Sequence, residues 1–200
     1  MNYRDIKVPP LNNDFIKNRA DLFRKSFWDK SIPVDIERII DLKLKLNIVP
    51  VPDLQRICDV DALIASNWEE IYVDNDRYLD DRYQNRLRFS FAHEIGHFIL
   101  HKDIYESFSL SSFEDFYDLM RDIPQEQYSY LETQANKFAN YLLVPRVALA
   151  QFKSILIRNK IMTLKVDKRT LDSYLAIPIS EKFGVSEKVI EIALNELDDN

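Results

Sequence analysis

The sequence predicts an α+β fold in which a small sheet of about three strands, expected to be antiparallel, packs among helices. Three observations predict it. Apolar residues recur at helical intervals before residue 47 and again after residue 86. Between those stretches, IVPV, DALIAS and EIYVDN are short apolar or β-branched runs broken by prolines and polar residues, the signature of strands. The chain of 200 residues carries no internal repeat, no low-complexity stretch and only two glycines, so nothing marks a flexible linker. A chain of that length buries a core without disulfide staples.

In order along the chain, Asp14 to Trp28 places Phe15, Ile16, Leu22, Phe23 and Phe27 on a helical face. Pro33 to Leu46 reads as a second helix opening on proline, with Ile36, Ile39, Ile40 and Leu44 following. The three strands come next, the last two as a hairpin turning at Asn67-Trp68. Helices are then expected near 88–101, 112–121, 129–143 and 146–157. Two more lie within AIPISEKFGVSEKVIEIALNEL, with a turn at Gly184-Val185 and Ser186 as N-cap. Residues 1–145 are read as the core and 146–200 as a C-terminal helical subdomain. That subdomain is helix-turn-helix-like, but it is acidic: from Leu171 to the end, seven acids face two bases.

Charge narrows the function classes. A net charge of −6 repels phosphate, which disfavours nucleic acid as a direct partner. MNYRDIKVPP lacks the apolar core of a secretory signal and no later run approaches a membrane span, so a cytoplasmic protein with no membrane partner is expected. Cys58 is the single cysteine, which excludes an internal disulfide and a cysteine-built metal site; it reads as a small buried hydrophobe.

The chemistry concentrates in RFSFAHEIGHFILH, which holds all three histidines of the chain. His93, Glu94 and His97 spell H-E-x-x-H. On a helix, four residues advance about 6 Å and little more than one turn, so both imidazoles reach one point, a pairing suited to Zn2+ with Glu94 as base. Gly96, in an otherwise apolar helix, signals close approach of a strand or of a second helix to the backbone. His101 continues the series but stands about 12 Å along the axis from His93, too far to share one ion, and is read as a packing or hydrogen-bonding histidine where the helix dipole favours a cation. Two residues compete for the third ligand position. Asp103 has the spacing used by some zinc peptidases after a glycine turn, but Leu100 stands where that glycine is needed. Glu132 opens LETQANKFANYLLVP, a helix with Ala135, Phe138, Ala139, Leu142 and Leu143 on one face.

FAHEIGHFILH, together with Glu132, Ala135, Asn136, Phe138, Ala139, Leu142, Leu143 and Pro145, resembles the ImmA/IrrE family of metallo-endopeptidases. The resemblance implies a zincin-like core, zinc held by His93, His97 and Glu132, and Glu94 as catalytic base. Asn136, one turn after Glu132, is placed to orient a ligand imidazole. The resemblance also implies a protein substrate: a DNA-binding helix-turn-helix repressor, cut to relieve repression in mobile elements or stress responses. Some members pair with such a regulator as toxin and antitoxin. The rival reading is a noncatalytic protein-binding module, against which Glu94 speaks, because structural zinc has no use for a base. Tyr83, Tyr128, Tyr130 and Arg146 stand as candidates to stabilise a developing oxyanion. The strand Glu70 to Asn75, through Ile71 and Val73, is expected to receive the substrate as an added strand.

Overall fold

The computed structural model describes residues 3–107, 118–119, 121–160 and 168–198. The first helix, α1 (Asn13–Phe27), begins where Asn12 Oδ1 accepts the Phe15 amide at 2.8 Å, and it buries Ile16, Ala20 and Phe23. The second is shorter than expected. Asp35, not Pro33, supplies the cap, accepting from the Arg38 amide at 3.0 Å, and α2 (Ile36–Ile39) passes directly into a π-turn ending at Leu44. Pro33 follows a cis peptide bond and lies outside the helix.

Among the described residues, β1 (Asn47–Val51), β2 (Ala62–Ile64) and β3 (Glu70–Asp74) form one sheet in the order β1-β3-β2. A short helix, α3 (Leu54–Cys58), separates the first two; Cys58 closes it half-exposed rather than buried. β2 and β3 are the expected hairpin, with Trp68 at φ 60° in its turn. The sheet as a whole is mixed, not antiparallel, because β1 runs parallel to β3. The chain reverses twice between them, once through α3 and once at Asn67-Trp68, and so returns to its first direction.

The ladders show which edges are open. Asn47 donates to the Glu69 carbonyl, so residues 47, 49 and 51 turn their amides toward β3, and 48 and 50 face outward. Pro50, which has no amide to offer, therefore sits on an outer edge, where proline is tolerated. On the other side Ala65 donates to Glu70 and Asp74 to Asp61, which leaves the backbone groups of Ala62 and Ile64 directed away from β3.

Asp74 caps α4 (Asn75–Tyr78), and the chain then enters α5 (Gln84–Leu100), followed by α6 (Lys102–Ser107). The helix expected over 112–121 lies largely outside the described residues. α7 (Gln125–Leu143) runs beside both α5 and α1, with Phe138 edge-on to Phe23 at 6.0 Å. α8 (Arg146–Lys160), α9 (Lys168–Phe183) and α10 (Glu187–Asp198) complete the chain. Gly184, at φ 64°, makes the turn between the last two, and its carbonyl accepts from Arg88 of α5 at 2.6 Å. Asn140 of α7 donates to the Val189 carbonyl at 3.0 Å, and Arg146 pairs with Glu196 at 2.7 Å. Ile179, Phe183, Ile190 and Leu194 join the same apolar cluster as Phe91, Ile95 and Leu142.

Candidate metal centre

His93, His97 and His101 recur every four residues on α5 and form a ladder along the face turned to α7. Gly96 allows the two helices to close. A Cβ at that position would stand 3.0 Å from Ala135 Cα and 3.1 Å from its carbonyl oxygen, so the close neighbour is the second helix rather than a strand. At this separation Glu132 reaches the imidazoles: Oε2 lies 3.4 Å from His93 Nε2 and Oε1 lies 3.5 Å from His97 Nε2. The two Nε2 atoms are 3.0 Å apart. A tetrahedral zinc with arms of about 2.05 Å separates its ligands by about 3.3 Å, so this triangle has the size of one face of such a polyhedron. Among the described residues these three side chains form the group able to hold a metal ion. Asp103, the competing donor, is exposed on α6 and stands outside it.

The other ring nitrogens are engaged as well. His93 Nδ1 lies 3.0 Å from Asn136 Oδ1, so Asn136 meets the imidazole of His93. An Nδ1–H donated there leaves Nε2 a bare lone pair aimed at the cluster. His97 Nδ1 lies 3.0 Å from His101 Nδ1. His101 is 1% exposed and is no cation: burial, reinforced by the neighbouring His97, pushes its pKa down to about 3, overriding the helix dipole invoked for it.

Glu94 is buried, and Oε2 accepts the Ile64 amide of β2 at 2.8 Å. Burial pushes its pKa up, against the pull of His93 and His97. Glu132 moves the other way: burial favours its neutral form, but its bonds to His93 and His97 prevail and hold it well below the ordinary carboxylate range. For His93, burial opposes the cation, but Glu132 and the Glu94 charge outweigh it and the net shift is upward.

The oxyanion candidates separate cleanly. Arg146 lies over Tyr141 and bonds Asn140 and Glu196, committed to the C-terminal helices. Tyr83 sits under Arg77, and Tyr130 is exposed with its hydroxyl on Glu126. Tyr128 alone of the four bonds Glu132; burial, then the Glu132 charge, pushes its phenol up to about 12. Tyr105, which sequence reasoning passed over, is buried with its ring 6.0 Å from that of His97, and burial with the Glu132 and Glu94 charges raises its pKa well above the ordinary value. Ile71 and Val73 do not receive a strand. Both are fully buried, and β3 lies between β1 and β2 with each edge already paired; the hairpin was visible in the sequence, but the parallel neighbour closing its other side was not.

Gln134 was also missed. It carried a signal: a polar side chain flanked by the buried Leu131, Ala135 and Phe138 must find partners. Its Oε1 lies 3.0 Å from His101 Nε2, and its Nε2 donates to the Pro9 carbonyl at 2.9 Å.

No curated protein matches this chain. The family model for the IrrE N-terminal-like domain of the M78 peptidases matches residues 79–195, a span that takes in the whole donor cluster and more than half of the chain, and the chain therefore belongs to that metallopeptidase family.

Proposed function

We propose that the protein is a zinc-dependent endopeptidase, with His93, His97 and Glu132 as metal ligands and Glu94 as the catalytic base. The observation that carries this reading is the convergence of two imidazole Nε2 atoms and a carboxylate on one point at ligand-to-ligand spacing. Three electron-pair donors facing one another repel unless a cation lies between them. Three nitrogen and oxygen ligands, with no sulfur, suit a catalytic zinc with a position left for substrate or water.

A divalent ion bound there supplies Lewis acidity to a peptide carbonyl and makes water more acidic. Glu94 takes the proton of the attacking water and returns it to the departing amine nitrogen. The amide of Ile64 holds Glu94 Oε2 and so aims its carboxylate. Tyr128, beside Glu132, is the best-placed hydroxyl for the oxyanion. An extended peptide finds its backbone partners on the outer edge of β2, next to Glu94, where both backbone groups of Ala62 and the carbonyl of Ile64 point away from the sheet, the Ile64 amide being held by Glu94.

The substrate we propose, as the family resemblance implies, is a helix-turn-helix repressor, with cleavage relieving repression. The division into a peptidase core over 1–145 and a helical subdomain over 146–200 is part of the same proposal, as is a cytoplasmic setting. Among the described residues no helix is long and apolar enough to cross a membrane. The deciding experiment incubates wild type and Glu94→Gln, each with measured zinc content, with a helix-turn-helix repressor from the same genome. Wild type should cleave, and the variant should bind zinc yet cleave about a hundredfold to ten-thousandfold more slowly. Equal rates would remove Glu94 from the chemistry, and zinc-loaded wild type that leaves the repressor intact would remove the substrate assignment.

A further inference from the structure

Beyond the donor cluster, a line of hydrogen bonds leads away from His97 through the interior. With His101 neutral, the far end of that line fixes the direction of every bond in it. The Pro9 carbonyl can only accept, so the Gln134 amide must present Nε2 to it, at 2.9 Å. Gln134 Oε1 therefore faces His101 Nε2, at 3.0 Å, and His101 must carry its proton on that nitrogen to donate. A neutral His101 protonated at Nε2 has a bare Nδ1, which accepts from His97 Nδ1 at 3.0 Å. His97 thereby carries a proton at Nδ1, and its neutral form is bare at Nε2, the atom that faces His93 and Glu132. His101 and Gln134 are both buried, at 1% and 4% exposure, so no water competes for these bonds.

We infer that His101 and Gln134 are positioning residues that fix the tautomer of His97, with the backbone of the N-terminal segment as their anchor. The inference rests on the proposed metal site for its purpose, but not for its geometry. The N-terminal segment is itself pinned to α7, where the Val8 amide donates to Gln127 Oε1 at 2.7 Å. Asn136 performs the same task for His93 in a single step. The two imidazoles are thus set by separate devices, a direct amide for one and a three-link relay for the other.

The test uses the whole chain and two readouts. In metal-free protein, long-range nitrogen–proton NMR correlations report which ring nitrogen of His97 is protonated. Competition with a chromophoric chelator then gives the zinc Kd. Wild type should show His97 bare at Nε2. His101→Phe keeps the ring volume but removes the acceptor; Nε2 should become protonated and the Kd should rise by about tenfold to a hundredfold. His101→Asn places an oxygen where Nδ1 stood and should restore both readouts to within a fewfold of wild type, which a packing role would not produce. Gln134→Leu breaks the next link and should raise the Kd by a smaller factor, and it serves as the second variant if His101→Phe folds poorly.

A wild-type His97 protonated at Nε2, or a His101→Phe variant with unchanged tautomer and Kd, overturns the relay, as does His101→Asn behaving like His101→Phe. The two readings fail separately. Wild type that ignores zinc while its His97 tautomer switches with His101 sinks the metallopeptidase reading and leaves the relay; wild type that binds zinc with both its Kd and its His97 tautomer indifferent to His101 sinks the relay alone.

Discussion

At the scale of single residues, His101 has a measurable consequence of its own. Its folded pKa, about 3, lies below the ordinary histidine value near 6.5, so the unfolded chain binds the extra proton in between. Its contribution to stability is complete above pH 6.5 and is lost as pH falls toward 3, by about 2 kcal/mol between pH 7 and pH 5. The groups around it are His97 and His93 on its own helix and Glu132 and Gln134 on α7. His93, whose pKa is raised, works in the opposite sense. The comparison of metal-free wild type with His101→Asn isolates the effect: urea midpoints at the two pH values should diverge more for wild type, and parallel shifts would contradict it. In the sequence, His93, Glu94 and His97 were legible because chemistry demands those residues at helical spacing. Glu132 was legible only through a motif, since no local rule brings a residue 35 positions onward to the same point. Spacing set His101 apart from the His93–His97 pair, and it stands outside the three-donor group, but its charge state followed from burial that spacing does not reveal.

At the scale of elements, the α5–α7 contact sets the site. Gly96→Ala gains about 1 kcal/mol in helix propensity. The added methyl, however, meets the backbone of Ala135, which cannot rotate away as a side chain could. Overpacking of about 1–3 kcal/mol should prevail, and the spreading helices should draw Glu132 from the imidazoles. Urea denaturation should show lower stability, and zinc Kd should rise at least about tenfold; unchanged values would mean the helices have slack. Asp61 performs a related task for the strand beside Glu94: its carboxylate, near the start of β2, pairs with both Arg77 and Arg86, tying β2 to α5. The helices were legible from their apolar period. The strand directions were not, because a run such as IVPV states that a strand exists and leaves its neighbour to tertiary packing.

At the scale of the whole molecule, the metal should be a stabiliser, since an ion held by two helices binds the folded chain and not the unfolded one. At free zinc one hundred times Kd the gain is about 2.7 kcal/mol, or roughly 5–11 °C in Tm for a chain of this size. Calorimetry before and after chelation should show that drop in wild type and a much smaller one in a chain lacking Glu132. The C-terminal helices belong to the same accounting, because Ile190 and Leu194 share the core with the peptidase helices and Arg88 reaches across to Gly184.

Pro50 brings these scales together. One margin of the sheet has an imino acid, and on the opposite margin Ala62 and the Ile64 carbonyl face outward while Glu94 holds the Ile64 amide. Sister molecules are discouraged from stacking on the proline side, which, under the proposed reading, leaves an extended substrate the flank beside Glu94.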